Sequence, residues 1–439
     1  MEVIEMPAAS ARFTRDFQLF FSGQILSNLG GSVTLFLLPL VVFVLTGSAL
    51  NLAITTAAEF VPYLLFGLII GAYVDRLPRR TLMIVADIVR AALIASIPVL
   101  ASLGLLGVWW IYVVGFLSST MSIFFNNAEF AAIPSLVGRD DLVTANGRVS
   151  AAYSATGIIG PLLAGGLLAG LHATTVLYVD AVSFVISAIT LALIRTRFDA
   201  EPRERRRVRE DVAEGLRFVL RHPVLRSISL MMALINFFAT SIVYGQVVFF
   251  AKRRLSASDG QVGLLYAAGS LGAVLVGLLA GRLRRRVSFG RAALGGLFVS
   301  GAFMVAMAST DIFWLGALFW LGVAGSGGLL DINTLSLRQA MTPPEMLGRV
   351  ISVAGVLAWS AIPLGSLLGG YLITTTGNVA AVYAGCGAMQ MLLAALFYLG
   401  PLGHAERYEA FAAARGRAGA AADRPQTDAG QGAAETAEL

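Results

Sequence analysis

The sequence predicts an all-α polytopic membrane protein, with twelve transmembrane helices folded as two pseudo-symmetric six-helix bundles and both termini cytoplasmic. Three observations predict it: a composition too apolar for water, a series of apolar runs of membrane-spanning length, and an internal repeat of about 200 residues.

Composition excludes a water-soluble chain. Of 439 residues, 57% are hydrophobic and 13% charged, whereas a soluble domain is about 25% charged. The mean hydropathy is +0.78. A net charge of +6 invites a nucleic-acid reading, but the basic residues fall in short clusters between apolar runs, as inner-leaflet anchors do. No nucleic-acid partner is therefore expected. The lone Cys386 sits among small apolar neighbours and supports no disulfide framework. No cleavable signal peptide is expected, because the start is polar to about Asp16 and the first apolar run is long enough to span.

A helix crosses about 30 Å of hydrocarbon with about 20 residues. Runs of that kind lie at about 18–45, 51–74, 81–104, 107–130, 146–171, 174–194, 226–250, 260–281, 288–308, 311–335, 350–373 and 378–402. They lack the alternation of β-barrel strands. Of the 31 Arg and one Lys, only Lys252, Arg253 and Arg254 lie in connections on one side. The other side carries Arg76, Arg79, Arg80, Arg139, Arg148, Arg203 to Arg226, Arg282 to Arg291, Arg338 and Arg349. The positive-inside rule makes that side cytoplasmic.

The chain divides into a cytoplasmic N-terminus (1–17), an N-terminal six-helix bundle (18–194), a cytoplasmic linker (195–225), a C-terminal six-helix bundle (226–402) and a disordered cytoplasmic tail (403–439). Within the linker, Asp211 to Arg221 spaces apolar residues helically beside charges, as an amphipathic surface helix does.

The halves echo each other. Gly67-Leu-Ile-Ile-Gly71 before an Arg cluster recurs as Gly277-Leu-Leu-Ala-Gly281; Glu129, Arg148 and Gly160-Pro-Leu-Leu-Ala-Gly-Gly166 recur as Asp331, Arg349 and Gly365-Ser-Leu-Leu-Gly-Gly370. The offsets are 210, 202, 201 and 205 residues, in one order. Parallel duplication of this kind places a substrate cavity between the halves.

The strongest local motif is Gly67-Leu-Ile-Ile-Gly71-Ala-Tyr-Val-Asp75-Arg76-Leu-Pro-Arg79-Arg80. It resembles the signature between helices two and three of the major facilitator superfamily, with Pro78 where many members carry Gly. Ser27-Asn-Leu-Gly-Gly31, Thr46-Gly-Ser48, Asp87-Ile-Val-Arg90, Asn146, Gly160-Pro161 and Gly348-Arg-Val-Ile-Ser352 are similar to the branch that includes macrolide efflux proteins and the enterobactin exporter. The resemblance covers about residues 10 to 400. It implies the major facilitator fold, alternating access, and a cytoplasmic latch in which Gly71, Asp75, Arg76, Arg79 and Arg80 take part, beside Asp87, Arg90, Arg148 and Arg349. Gly157, Gly160, Pro161 and Gly165 are similar to the glycine–proline motif of antiporters; a Pro kink among small packing residues is the alternative.

Each ionisable group inside a span costs at least about 2.5 kcal/mol on insertion scales, so each needs a reason. Asp87 has Arg90 one helical turn on, an ion-pair spacing. Glu129 and Asp331 are pseudo-equivalent; the resemblance implies gating ion pairs with Arg79 or Arg80 and with Arg284 to Arg286, and binding of substrate or proton is the alternative. Glu59, beside Thr55, Thr56 and Pro62 with no Arg in its own segment, is the first proton-coupling candidate, with Glu129 and Asp331 next. Asp180 reads as a structural or surface acid near the outer end of its span. Gln24, Asn126 and Asn127 are candidate substrate-cavity contacts.

No Walker loop, metal-spaced His cluster or nucleophile triad occurs. The chain is expected to be no enzyme, to use no cofactor or metal, and to draw on the proton gradient. Its expected role is proton-coupled efflux of an amphipathic small molecule, such as a macrolide-like drug, siderophore or secondary metabolite, as a monomer in a bacterial plasma membrane. Uptake by proton symport, or a non-transporting receptor or scaffold on the same fold, are the alternatives.

Overall fold

The computed structural model describes residues 14–74, 77–137, 141–168, 170–196, 208–284, 287, 289–343 and 346–405. Its regular elements are all helical: α1 (Arg15–Thr46), α2 (Ala49–Val74), α3 (Arg79–Ser102), α4 (Val108–Leu136), α5 (Leu142–Leu167), α6 (Ala173–Leu193), α7 (Val208–Arg221) and α8 (Pro223–Ile235). A π-helical turn at Asn236–Thr240 follows, then α9 (Ser241–Gly245), α10 (Val247–Arg253), α11 (Asp259–Arg284), α12 (Phe289–Ala308), α13 (Phe313–Met341), α14 (Leu347–Trp359), α15 (Ala361–Thr376) and α16 (Val379–Tyr398).

Among the described residues, eleven helical stretches are long and apolar enough to cross a membrane. The expected fifth span is the one outside that set. Its helix α5 is 26 residues long, but Gly147, Ser150, Ser154, Thr156, Gly157, Gly160, Gly165 and Gly166 dilute its hydropathy. Span seven carries the π turn within one helical stretch to Gly245 and leaves helical geometry at Gln246 (φ −111°, ψ 7°). Span eleven stays helical through Ser360 (φ −59°, ψ −23°), whose N–H donates to the Val356 carbonyl, and Asn236 of the π turn donates a 2.9 Å hydrogen bond to the nearby Ala358 carbonyl.

The repeat is visible in helix lengths. Both α4 and α13 have 29 residues, and both α2 and α11 have 26. Helix ends are punctuated where the sequence allows a sharp turn. Gly47 (φ 59°) and Gly377 (φ 65°) take the left-handed conformation and close α1 and α15, donating to the carbonyls of Phe43 and Ile373.

Small residues set how closely helices approach. α1 packs on α6, where a Cβ on Gly30 would meet the Asp180 carboxylate at 2.6 Å. Between halves, α2 packs on α15 and α5 on α11. There, a Cβ on Gly263 would meet the Pro161 carbonyl oxygen at 2.9 Å and Gly165 Cα at 3.1 Å. Two hydrogen bonds cross the same seams, Ser366 Oγ to the Ala53 carbonyl (3.1 Å) and Ser270 Oγ to the Gly157 carbonyl (2.8 Å), and Gln246 Nε2, between α9 and α10, donates to the Ala49 carbonyl of α2 (2.8 Å).

The buried core is shared at one end of the molecule and split at the other. At the Arg-poor end one cluster takes residues from both halves, including Phe36, Leu40 and Leu177 with Phe250, Leu265 and Tyr383. At the Arg-rich end the N-terminal half has its own cluster around Phe17, Phe20, Met83 and Leu191. The C-terminal half has another around Val219, Leu225, Leu294 and Leu402. Val219 belongs to the linker helix α7, whose Glu214 holds Arg349 at 2.6 Å, so the linker docks on the C-terminal half. Outward faces are apolar: Trp109 and Trp314, at matching starts of α4 and α13, are 76% and 66% exposed, as interfacial aromatic anchors are.

Candidate functional site: a buried charge cluster beside a polar cavity

Three helices of the N-terminal half bring four ionisable groups together. α3 supplies Asp87 and Arg90, α4 supplies Glu129 and α6 supplies Asp180. Asp87 is fully buried, Asp180 is 1% exposed and Glu129 8% exposed. Arg90 Nη1 stands 3.7 Å from Asp87 Oδ1, the pairing that the one-turn spacing anticipates. Asp180 and Glu129 are also within electrostatic reach of Arg90. The Arg90 guanidinium lies 3.9 Å from the Phe184 ring centroid, a cation–π contact in a dry setting. Asp180, which reads in the sequence as a structural or surface acid, is interior. Its side chain accepts from Ser183 at 3.3 Å and faces Gly30 of α1, whose lack of a side chain lets α6 bring the carboxylate inside.

Neither Asp87 oxygen has a hydrogen bond among the described residues, and Glu129 accepts one from the Tyr153 hydroxyl on α5. The sequence points Glu129 at Arg79 or Arg80; the structure gives it Tyr153. Arg80 is occupied instead at the end of α6, where Nε donates to the Leu191 carbonyl at 2.9 Å and Nη2 bonds the Ala192 carbonyl. The last carbonyls of a helix have no partner within it, and a guanidinium satisfies them.

A cavity of about 170 Å³ adjoins the cluster, lined by residues that include Gln24, Asn28, Ser32, Arg90, Phe125 and Glu129. Gln24, a cavity candidate from sequence, lines it and reaches Ser187 at 3.5 Å. Asn126 and Asn127 do not line it; Asn127 turns back on its own helix and donates to the Ile123 carbonyl at 2.7 Å.

The remaining candidates lie elsewhere. Glu59 has no hydrogen bond or ion pair among the described residues, and its Cγ lies against Gly115 of α4. Asp331 on α13 is exposed, with Arg338 as its electrostatic partner. The side chains of Arg284 to Arg286, its expected partners, lie outside the described residues. So do Asp75 and Arg76; Gly71 is in the last turn of α2 and Arg79 opens α3. Arg148 is exposed on α5. Gly157 and Gly165 sit on the α5–α11 seam, and Gly160 packs on α1. Among the described residues, no group of three or more His, Cys, Asp or Glu is placed to hold a metal ion.

Sequence reasoning missed Tyr153 and Phe184, which carry no signal that separates them from packing aromatics. It found the acids individually, because charge inside a span is conspicuous, but not their convergence.

Comparison with known proteins fits this architecture. The chain is 28% identical over 372 residues to the multidrug efflux pump Tap of Mycolicibacterium fortuitum, covering 82% of this chain and 89% of that one. It is 26% identical over 374 residues to macrolide efflux protein A of Streptococcus pyogenes, covering 80% and 88%. Among solved structures, an inward-facing bacterial homologue of the iron transporter ferroportin superposes with a TM-score of 0.72 at 17% identity, covering 87% of this chain and 98% of that one. The nucleoside transporter NupG superposes with a TM-score of 0.73 at 10% identity, covering 88% and 99%. These two show the shared major facilitator fold. The family model described as transmembrane secretion effector matches residues 9–421, and the chain belongs to that family of major facilitator transporters.

Proposed function

We propose that the chain is a secondary active exporter of a bacterial plasma membrane, exchanging protons for an amphipathic small molecule by alternating access. In this reading α5 is a twelfth span and both termini are cytoplasmic. The observation that carries it is the core shared at the Arg-poor end and split at the Arg-rich end. Two bundles that share a buried core at one end and keep separate cores at the other are halfway to a rocking device: opening the α2–α15 and α5–α11 seams while closing the Arg-rich end exposes the cavity to the other side.

The charge cluster supports proton coupling. One carboxyl group pairs with Arg90 and two more lie within its electrostatic reach, so a proton can come and go without leaving the site bare of counter-charge. Glu59, Glu129 and Asp331 are the coupling candidates, and Gly71, Asp75, Arg76, Arg79, Arg80, Arg148 and Arg349 the latch. Each charge crossing 100 mV supplies about 2.3 kcal/mol. The relatives named as macrolide and multidrug efflux pumps support the direction and an amphipathic cargo.

Inverted membrane vesicles from cells producing the protein test this. Accumulation of a macrolide or other amphiphile that collapses with the proton gradient is expected. Accumulation driven by the opposite gradient would make it a symporter for uptake; no flux across a broad panel, with a co-purifying partner, would make it a receptor or scaffold.

A further inference from the structure

The cavity beside the charge cluster carries a statement about the cargo's chemistry, which rests on the export reading above. Its volume of about 170 Å³ falls below the roughly 300–1,000 Å³ of a site enclosing a drug-sized molecule. It therefore admits one polar head, with the rest of the molecule lying outside it.

The charges on its wall are unequal. Arg90 is already engaged on two sides, by Asp87 at 3.7 Å and by the Phe184 ring at 3.9 Å, with Asp180 also in reach. Three acids thus face one guanidinium, and Glu129 is the one of the three that lines the cavity. Glu129 is 8% exposed. One of its oxygens takes the Tyr153 hydroxyl; the other has no partner among the described residues, and the residue lines the cavity. A buried carboxylate with a free oxygen is best satisfied by a donor bearing positive charge. Phe125 adds an aromatic wall, with the Arg90 guanidinium 6.0 Å from its ring centroid, so the carboxylate of Glu129 is the group left to meet a cation.

We propose that this cavity receives a protonated amine on the cargo, with Glu129 as its ion partner and Tyr153 positioning the carboxylate. A matched series of fluorescent probes tests it on the purified full chain in detergent, with no gradient: 1-pyrenebutylamine, 1-pyrenebutanol and 1-pyrenebutyrate, followed by anisotropy. The amine is expected to bind about tenfold or more tightly than the alcohol, the range of a charged hydrogen bond, and the carboxylate more weakly than either. Glu129→Gln should abolish the amine-to-alcohol ratio and Glu129→Asp restore part of it. Tyr153→Phe should lower that ratio severalfold, a change that a purely structural role would not produce. A preference for the carboxylate would assign the cavity to Arg90 and overturn the proposal. Equal binding of all three, no binding of any, or a ratio that survives Glu129→Gln would overturn it too. None of these outcomes touches the export reading, which is decided by flux in vesicles.

Discussion

Ser366 donates a 3.1 Å hydrogen bond to the carbonyl oxygen of Ala53, tying α15 to α2 across 313 positions of sequence. Ala53 is fully buried, and the backbone of α2 comes close enough for that bond only because Gly370 lies in the seam. A Cβ on Gly370 would meet the Ala49 carbonyl oxygen at 3.0 Å and Leu50 Cα at 3.2 Å.

Gly370→Leu should therefore pry this seam open, at about 1–3 kcal/mol for the overpacking. In a Cys386→Ala background, a cysteine at position 53 should react slowly with a membrane-impermeant maleimide and far faster once Gly370→Leu is added. Unchanged labelling would show that the seam is not closed by this contact.

Arg90 is the only cation among the four groups of the cluster. Arg90→Met leaves three acids facing no positive charge and should lower stability by about 3–5 kcal/mol. Arg90→Lys keeps the charge but loses the flat stack on Phe184, a contact worth about 0.5–2 kcal/mol. Thermal unfolding in detergent should rank the wild type above Lys and Lys above Met. A Met variant as stable as the wild type would mean that the acids need no counter-charge.

Glu59 lies against Gly115, with no hydrogen bond or ion pair among the described residues. If it carries the coupled proton, Glu59→Gln should be produced normally, lose gradient-driven accumulation, and retain exchange of labelled for unlabelled cargo. Full gradient-driven activity would remove Glu59 from the proton path.

His222, at the junction of α7 and α8, accepts the Leu225 N–H at 3.4 Å as an N-cap. Burial pushes its imidazole below the usual histidine range. With the folded value depressed, its contribution is present above the unfolded value near 6.5 and is lost as pH falls through the folded one, when the ring can no longer accept. The stability of the wild type should fall relative to His222→Asn between about pH 7 and 5. A constant difference over that window would contradict the cap assignment.

Much of this was legible in the sequence because its signals are local. Helices were marked by apolar runs, and the duplication by motifs such as Gly67–Gly71 with Gly277–Gly281 and Glu129 with Asp331. Asp87 and Arg90 lie one turn apart on one helix, so their pairing needed no tertiary knowledge. The rest depends on contacts between distant segments. Asp180 looked peripheral from its place along α6, yet Gly30 on another helix admits it to the interior. Tyr153 is one tyrosine among 11 until α5 brings it to Glu129. The π turn at Asn236–Thr240 has no Pro or Gly to announce it, and the hydrogen bond from Asn236 to the Ala358 carbonyl joins residues 122 positions apart.

Alternating access demands that the two ends of the molecule move in opposite senses. Spin-label distances measure this directly, with one pair at positions 135 and 339 on the Arg-rich ends of α4 and α13, and a second at positions 45 and 376 on the Arg-poor ends of α1 and α15. Across a shift of pH with and without 1-pyrenebutylamine, the first distance is expected to shorten in the population in which the second lengthens. Two distances that stay fixed, or that grow together, would contradict a rocking transporter.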